Sequence, residues 1–308
     1  MKMPVWLGYA LLTTVLWGVW GAFAGLPTEH GFPETLIYVV WAFTMIPPAL
    51  IVLSRNGWKL AKDRRSILLG LIIGVLGAGG QMLLFYAVRQ GPTYLIFPII
   101  SMSPVITIVL SFLFLGERTG RLGIIGIVLA LCALPLFDYQ SGSEPQVLGF
   151  WFALSVGVLV AWGLQGYFIK LANATMDAES IFFYMMLTGL MFIPVALYLT
   201  DFSAPINWGY MGPGLAAVTQ ILNAIGALTL VYAFRNGKAL VVSPMVNAGA
   251  PLLTTIIAMA LVATMPGDTK LVGIGLSLAA ALLLALQPEE STTGKESAAV
   301  QSAAGQFK

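Results

Sequence analysis

The chain alternates between long apolar stretches and short polar connections, and ten of the apolar stretches have the length of a membrane-spanning helix. A helix needs about 20 mostly apolar residues to cross the hydrocarbon core. None of the ten stretches contains Asp, Glu, Lys, Arg or His. Strands of a membrane barrel would instead alternate over about ten residues. The pattern predicts an all-α membrane protein with ten transmembrane helices, at approximately 5–25, 35–53, 66–88, 93–115, 122–137, 147–169, 180–200, 210–234, 239–262 and 271–287.

Composition supports the same interpretation. Apolar residues make up 58% of the chain, charged residues only 9%, and the mean hydropathy is +0.90. Soluble domains carry about 25% charged residues, so this chain cannot solvate its own surface in water. The first stretch exceeds the usual length of a signal-peptide core and has no small-residue cleavage site, so we expect it to be a span. Cys132 is the single cysteine and cannot form an internal disulfide.

The positive charges predict an orientation. If the N-terminus is inside, thirteen of the fifteen Lys and Arg residues fall in cytoplasmic segments, and only Arg89 and Lys270 fall outside. Lys and Arg concentrate in cytoplasmic loops. We therefore expect both termini to be cytoplasmic, in an inner (plasma) membrane of bacterial type. Residues 288–308 are rich in Ser, Ala, Glu and Gln and predict a disordered cytoplasmic tail.

Two short strings occur twice in the chain. Residues 16–23 (LWGVWGAF) return as 161–168 (AWGLQGYF), and residues 86–91 (YAVRQG) return as 232–237 (YAFRNG). Both occurrences lie in apolar stretches and in the same order, which indicates a duplicated unit of five spans. An odd number of spans inverts the second unit relative to the first, and such folds commonly bind a solute between the halves and open to alternate sides.

Four motifs resemble a known family: Phe85-Tyr86-Ala87, Ser103-Pro104, Leu115-Gly116-Glu117 and the glycine-spaced run 122–134. They closely resemble the EamA repeat of the drug/metabolite transporter superfamily, and the resemblance extends to about Gln287. It implies a ten-helix carrier of small metabolites, with one repeat in 1–145 and an inverted repeat in 146–287. The second half departs from the pattern, because Thr264-Met265 stands where the first half has Gly116-Glu117.

Proline pairs are predicted to kink the fourth and ninth spans: Pro98 with Pro104, and Pro244 with Pro251. Each proline removes one backbone N–H and frees a carbonyl four residues earlier. Three residues after the first proline of each pair comes a polar side chain, Ser101 or Asn247. Paired kinks with polar groups near mid-bilayer suit a central solute site. The alternative is a kink satisfied within its own helix bundle.

Tryptophans mark the first helix of each half. Trp17 and Trp20 lie three residues apart and share one helix face. Their counterparts in the sixth span are Trp162 and Gln165. Two interpretations remain open for these side chains: a wall that faces the solute, or tight helix packing around the neighbouring glycines. Trp41 in the second span closes one side of the cavity or faces lipid.

Three further amides lie deep in the spans: Gln81 in the third, and Gln220 and Asn223 in the eighth. An amide in hydrocarbon without a partner costs several kcal/mol. Hydrogen bonds between membrane helices return only about 1–2 kcal/mol. The set therefore favours a polar, uncharged cavity. Glu117 and Arg235 are expected at span ends, with Tyr86 and Tyr232 in the interfacial belt.

The missing charges limit the function. Proton relays generally need Asp, Glu or His within the membrane, so the sequence predicts a facilitator or a coupling route that it does not reveal. Phosphate-bearing solutes need Arg or Lys clamps, which are absent at depth. Neutral or zwitterionic solutes fit best: amino acids, small aromatic metabolites or sugars. We expect no cofactor, metal or nucleic-acid partner; the lone His30 is a poor metal site. The partners are a solute and the bilayer, and both monomer and homodimer are compatible with the sequence.

Three other functions fit the sequence to different degrees. Sugar uptake is the first, because Trp17-Gly18, residues 27–33 and residues 41–47 loosely resemble the glucose/ribose and rhamnose branches of the superfamily. A receptor or scaffold would leave the repeat and the paired prolines unexplained. An enzyme would need a nucleophile with a base, or a carboxylate pair, at depth. Substrate identity, transport direction and coupling ion stay open.

Overall fold

The structure, a computed structural model, describes residues 3–91, 93–138, 149–262 and 267–286. These ranges contain helices and short connections and no strand. The first half comprises α1 (Val5–Phe23), α2 (Leu26–Glu29), α3 (Glu34–Thr44), α4 (Ile46–Arg55), α5 (Arg64–Gln90), α6 (Thr93–Ser101), α7 (Ser103–Phe114) and α8 (Arg121–Asp138). The second half comprises α9 (Phe150–Ala172), α10 (Ala178–Met191), α11 (Ile193–Tyr198), a π-helical turn (Tyr210–Gly214), α12 (Leu215–Asn236), α13 (Ala239–Val262) and α14 (Asp268–Ala285).

The helices confirm the prediction of an all-α membrane protein. Among the described residues, eight helical segments are long and apolar enough to cross a membrane. They are Val5–Glu29, Glu34–Arg55, Arg64–Ala87, Phe150–Ala172, Ala178–Tyr198, Tyr210–Asn236, Ala239–Leu261 and Asp268–Ala285. Two shorter apolar helices, Ile99–Phe114 and Arg121–Leu136, lie at the fourth and fifth predicted spans. Ten crossings remain a prediction. The predicted boundary between the halves and the predicted tail lie outside the described residues.

Three predicted spans are interrupted, each two residues before a proline. The breaks fall at Met45 before Pro47, at Met102 before Pro104, and at Phe192 before Pro194. Proline is tolerated in the first turn of a helix, where its missing N–H costs no intrahelical bond. A new helix therefore begins just before each proline.

The prolines of the two predicted kinks are placed differently. Pro104 lies in the first turn of α7, after the break at Met102, whereas Pro244 and Pro251 lie inside one uninterrupted helix, α13. Kinks at these prolines remain a prediction. Neighbouring helices help a membrane helix to tolerate internal prolines, and α13 packs against α1, α7, α8 and α14. Pro98 lies within α6, but its side chain is outside the described part of the structure.

The two halves interlock through their first helices. α1 packs against α12 and α13 of the second half, and α9 packs against α5, α6 and α7 of the first. Trp6, near the start of α1, lies over Gly237, and the Nζ atom of Lys170, near the end of α9, donates to the carbonyl of the same glycine at 2.6 Å. α1 therefore begins at the end of the bundle where α9 finishes, and the two equivalent helices run in opposite directions.

A charged residue fixes the start of the long helix α5. Asp63 is the N-cap, and its Oδ1 atom accepts a hydrogen bond from the backbone N–H of Ser66 at 3.0 Å. Hydrogen bonds from Ser66 hold the pKa of the Asp63 carboxyl below its ordinary value. The N–H groups of a first helical turn have no partner within the helix, so the carboxylate stabilises this end.

Candidate functional site

Each half provides a groove for the first helix of the other half. We call these the α1 seat (α1 against α12 and α13) and the α9 seat (α9 against α5 and α7). Glycines line both: Gly18 faces Leu253 and Gly21 faces Thr254 in the α1 seat, and Gly163 faces Ile106 and Gly166 faces Thr107 in the α9 seat. A Cβ atom at any of these glycines would come within 2.5 to 2.7 Å of the facing side chain. Only glycine lets the helices approach this closely, as in other membrane helix pairs.

Trp17 and Trp162 occupy equivalent positions in the two seats. The indole Nε1 atom of Trp17 donates to the carbonyl of Asn223 at 3.2 Å, and that of Trp162 donates to the carbonyl of Gly77 at 3.4 Å. Trp17 also lies over Gly226, and Trp162 over Gly80. Both indole N–H groups are thus used between helices. These contacts agree with the helix-packing interpretation of the two tryptophans.

Two threonines that sequence reasoning missed repeat this symmetry. The Oγ1 atom of Thr107 donates to the carbonyl of Gly163 at 2.8 Å, and that of Thr254 donates to the carbonyl of Gly18 at 2.9 Å. Each threonine stands three residues after the second proline of its span. That recurring Pro-x-x-Thr spacing is the signal that could have found them.

Trp20 and Gln165 are also equivalent in sequence, but their surroundings differ. The Nε2 atom of Gln165 donates to the carbonyl of Ile73 at 3.2 Å, and the side chain lies against Gly77. The indole nitrogen of Trp20 is buried and makes no hydrogen bond within the described part of the chain. One seat therefore uses its donor between helices, and the other keeps an unused donor at the same position.

The deep amides divide into a bonded pair and a single side chain. The Nδ2 atom of Asn223 donates to the Oε1 atom of Gln220 at 3.3 Å, beside the carbonyl that receives Trp17. Gln220 is only 4% exposed. Gln81 is half-buried on α5, one turn beyond Gly77, and makes no hydrogen bond among the described residues. Gln81 therefore lies on α5 near the surface against which α9 packs.

The remaining predicted site residues lie on other helices. The Nδ2 atom of Asn247 donates to the carbonyl of Ser243 in its own helix at 2.9 Å. Ser101 is half-buried at the end of α6, beside the break in the fourth span. Trp41 packs on Tyr38, with ring centroids 5.1 Å apart, and over Gly189 of α10. Its indole nitrogen is buried without a partner in the described ranges. The structure brings Trp17, Gln220 and Asn223 together, and Trp162 with Gln165, but Trp41 lies in the contact between α3 and α10.

A charged cluster closes one end of the bundle, which we call the Lys170 end. Glu117 is only 3% exposed, and its two carboxylate oxygens accept the backbone N–H groups of Ala239 and Leu240, each at 3.0 Å. These residues begin α13, where a carboxylate is stabilised by the helix dipole. The Nζ atom of Lys170 lies 3.8 Å from Glu117. Glu117 is thus far more buried than a span-end residue in the interface would be.

The same cluster holds the end of α12. The Nζ atom of Lys170 donates to the carbonyls of Phe234 and Gly237, and Lys238 donates to the carbonyl of Arg118 at 2.7 Å. These bonds join the end of α9 and the α7–α8 connection to the turn between α12 and α13. The charge of Lys170 lies at a helix C-terminus, where cations are stabilised. Sequence reasoning used Lys170 only as a marker of orientation, because its partners are distant along the chain.

A tyrosine and a glutamate also join α12 to α10 at the Lys170 end. The hydroxyl of Tyr232 donates to the Oε1 atom of Glu179 at 2.6 Å, and the ring of Tyr9 stacks on Tyr232 with centroids 5.0 Å apart. Arg235 and Asp177 form a more exposed ion pair at 3.5 Å. Tyr232 therefore joins α12 to α10, a role that a position in the interfacial belt does not require.

An open depression of about 420 Å³ lies beside this cluster. Its lining residues are Lys59, Leu60, Ala61, Asn173, Ala174, Thr175, Met176, Asp177 and Arg235. They come from helix ends and connections of both halves, and none is a residue that the sequence predicts to bind the solute. The depression therefore lies between the halves at the Lys170 end.

Comparisons with known proteins agree with the repeat. The EamA-like transporter family matches residues 4–137 and again 149–286. An uncharacterized protein of Methanocaldococcus jannaschii is 32% identical over 131 residues, covering 42% of this chain and 94% of that protein. Protein RarD of Salmonella typhimurium is 25% identical over 227 residues, or 72% of each chain. The pseudopaline exporter CntI of Pseudomonas aeruginosa is 27% identical over 212 residues, covering 67% of this chain and 70% of the exporter.

A solved crystal structure shows the same fold. It superimposes with a TM-score of 0.74 at 14% identity and covers 91% of this chain and 98% of the other. The two family matches together span almost the whole length that the structure describes. They coincide with the two halves of the structure, each of which packs its first helix against the other half. The chain is a member of the EamA-like transporter family.

Proposed function

We propose that the protein is a carrier that moves a small neutral or zwitterionic metabolite across the membrane by alternating access at a central cavity. The observation that carries the proposal is the pair of matching seats, in which each half holds the first helix of the other. Inverted repeats allow one half to take up the conformation of the other, so that a site between them opens to either side.

Uncharged side chains support the proposed substrate class. The candidate residues in and beside the seats offer indole and amide groups, among them the donor of Trp20 and the amide of Gln81, neither of which is bonded to another described residue. A solute with a net charge would require an opposite charge at depth, because an isolated ion in low dielectric is very costly. An amino acid or a small aromatic metabolite brings its own balanced or absent charge.

Flux through liposomes tests the proposal. Purified protein is first screened by thermal shift against amino acids, aromatic metabolites and sugars. A ligand at 100 times its Kd stabilises the folded state by about 2.7 kcal/mol. The stabilising solutes are then assayed for uptake and efflux in protein-containing and empty vesicles, because one relative is named an exporter. Flux that requires the protein supports a carrier; product formation without flux would indicate an enzyme, and binding with neither a receptor. If sugars alone bind and move, the sugar-uptake alternative replaces the proposed substrate class.

The proposed orientation has a separate test. We infer that both termini face the cytoplasm of a bacterial-type inner membrane, because thirteen of the fifteen Lys and Arg residues are then cytoplasmic. A fluorescent reporter fused to the C-terminus should be active in the cytoplasm. A reporter that works only when exported to the periplasm would reverse the orientation.

A further inference from the structure

The second and third spans of the two halves are not in the same arrangement. In the second half, the backbones of α10 and α12 approach each other closely, whereas those of α3 and α5 in the first half do not. α3 and α5 meet instead through long side chains, with the rings of Tyr38 and Phe85 6.5 Å apart. The two repeats thus hold one helix pair in two different states.

A hydrogen bond at the helix ends is likewise present in the second half and absent among the described residues of the first. Where α10 and α12 are close, Tyr232 donates to Glu179 at 2.6 Å. The equivalent tyrosine of the first half is Tyr86, and Glu34 lies in the first turn of α3, as Glu179 lies in the first turn of α10. Tyr86 is 41% exposed, Glu34 is exposed, and neither makes a hydrogen bond in the described part of the chain.

The two pairs lie at opposite ends of the bundle. Tyr232 is near the end of α12, at the Lys170 end. Tyr86 is near the end of α5. α5 packs against α9 in the first half's seat, just as α12 packs against α1 in the other seat. Because α1 and α9 run in opposite directions, the ends of α5 and α12 point to opposite sides. One end of the molecule is therefore closed by a tyrosine–glutamate bond, and the other end carries the same two residue types apart.

We propose that Tyr232 with Glu179 and Tyr86 with Glu34 are two alternating latches, of which the first is closed and the second open in this structure. The proposal deepens the proposed carrier function and depends on it for its physiological meaning. When the halves exchange conformations, α3 approaches α5, Tyr86 donates to Glu34, and the bond between Tyr232 and Glu179 breaks. Each conformation is held by one charge-assisted hydrogen bond between a tyrosine and a glutamate.

The buried charges make the two ends unequal. Glu117 and Lys170 reinforce the closed end, and the position of Glu117 is taken by uncharged residues in the second half. Gly25 occupies the place in the first half that Lys170 occupies in the second. The Lys170 end therefore carries a buried ion pair that the sequence does not repeat in the other half.

Cysteine cross-linking tests the exchange. In a Cys132→Ala background, one variant carries Cys at positions 34 and 86, and another carries Cys at 179 and 232. A tyrosine that donates to a glutamate leaves the two Cα atoms farther apart than the about 4.4–6.8 Å that a disulfide requires, so the paired cysteines are joined with a flexible bis-maleimide as long as the two replaced side chains. We expect the 179/232 pair to cross-link readily in membranes and the 34/86 pair slowly. Adding Glu179→Gln to the 34/86 variant replaces a charge-assisted bond with a weaker neutral one, so its cross-linking should become several-fold faster.

Tyr184→Phe is the matched control. It removes a tyrosine hydroxyl of α10 whose hydrogen bond, to the carbonyl of Ala61 at 2.6 Å, does not join α10 to α12. It should leave 34/86 cross-linking unchanged. The proposal is overturned if Glu179→Gln has no larger effect than Tyr184→Phe, or if both pairs cross-link equally fast in the parent.

A second measurement, the labelling of a single cysteine, applies where the double-cysteine variants do not fold. A single Cys at position 86 should react quickly with a soluble maleimide in the Cys132→Ala parent and several-fold more slowly after Tyr232→Phe. An unchanged rate contradicts the latches. Flux assays on the same variants separate the two proposals: flux without a latch response rejects the latches alone, and a latch response without flux of any solute rejects the carrier.

Discussion

In the α1 seat the indole of Trp17 donates to a carbonyl of α12, and in the α9 seat the indole of Trp162 donates to the equivalent carbonyl of α5. The threonines of α7 and α13 repeat this agreement. One turn further along, the agreement ends: Gln165 donates across its seat, and Trp20 has a buried donor that finds no partner in the part of the chain that the structure describes. The contacts that hold the backbones together are the same in both seats, and the side chain beyond them is not.

This difference distinguishes the residues that hold the helices together from those that are candidates to contact the solute. A helix seat works only if glycines allow close approach and buried polar groups find partners, so both copies of the repeat keep these features. A position that is not needed for packing is free to diverge after duplication. Trp20 is therefore a better candidate for solute recognition than Trp17 and Trp162, whereas Gln165 would have to release its bond to Ile73 to bind a solute.

The largest expected effect comes from filling a seat. Gly163→Ala places a Cβ atom 2.6 Å from Ile106 and 2.7 Å from the carbonyl of Ser103, and backbone cannot move aside cheaply. Such overpacking costs about 1–3 kcal/mol, so we expect a clear fall in the melting temperature and yield in detergent. Gly275→Ala is the control, because nothing lies within 4 Å of its added atom. Equal stability of the two variants would mean that the seat is looser than described.

The next effect concerns transport rather than stability. Trp20→Ala, Gln165→Ala and Asn247→Ala should each reduce solute flux about five- to tenfold, the equivalent of one hydrogen bond to a solute. Folding and membrane yield should stay largely intact. The measurement is initial uptake into liposomes at matched protein content. Wild-type flux in all three would place the solute elsewhere.

The smallest effect tests how equal the seats are. Thr107→Val and Thr254→Val each remove one hydrogen bond between helices and keep the side-chain shape. Bonds of this kind are worth about 0.6 kcal/mol in membrane proteins. We expect two small and similar decreases in melting temperature. A large decrease in the melting temperature of only one variant would show that the two seats contribute unequally to stability.

Much of the fold was predictable because membrane helices are encoded locally. The predicted span 239–262 coincides with α13 (Ala239–Val262), and the repeated tryptophan strings fall on the two exchanged helices. The breaks at Met45 and Phe192 were missed. A proline in an apolar run does not reveal whether the helix restarts before it or continues through it, as α13 does at Pro244.

The candidate site was less predictable. Glu117 was expected at a span end, but its burial depends on the start of α13, more than a hundred residues away. Tyr232 was expected in the interfacial belt, and its bond to Glu179 follows from the approach of α10 to α12. Such partners lie on other helices, so spacing along the chain carries no information about them.

The sequence by itself determined that the chain crosses a membrane with helices, that it consists of two related halves, and that no charged side chain lies deep in its apolar stretches. These properties depend on residues close together in the chain, since burial in lipid requires continuous apolar runs and internally bonded backbone. Tertiary structure decided which donors are used. Trp17 and Trp20 are three residues apart on one helix, yet among the described residues only the first meets a carbonyl, because α12 approaches α1 at that turn.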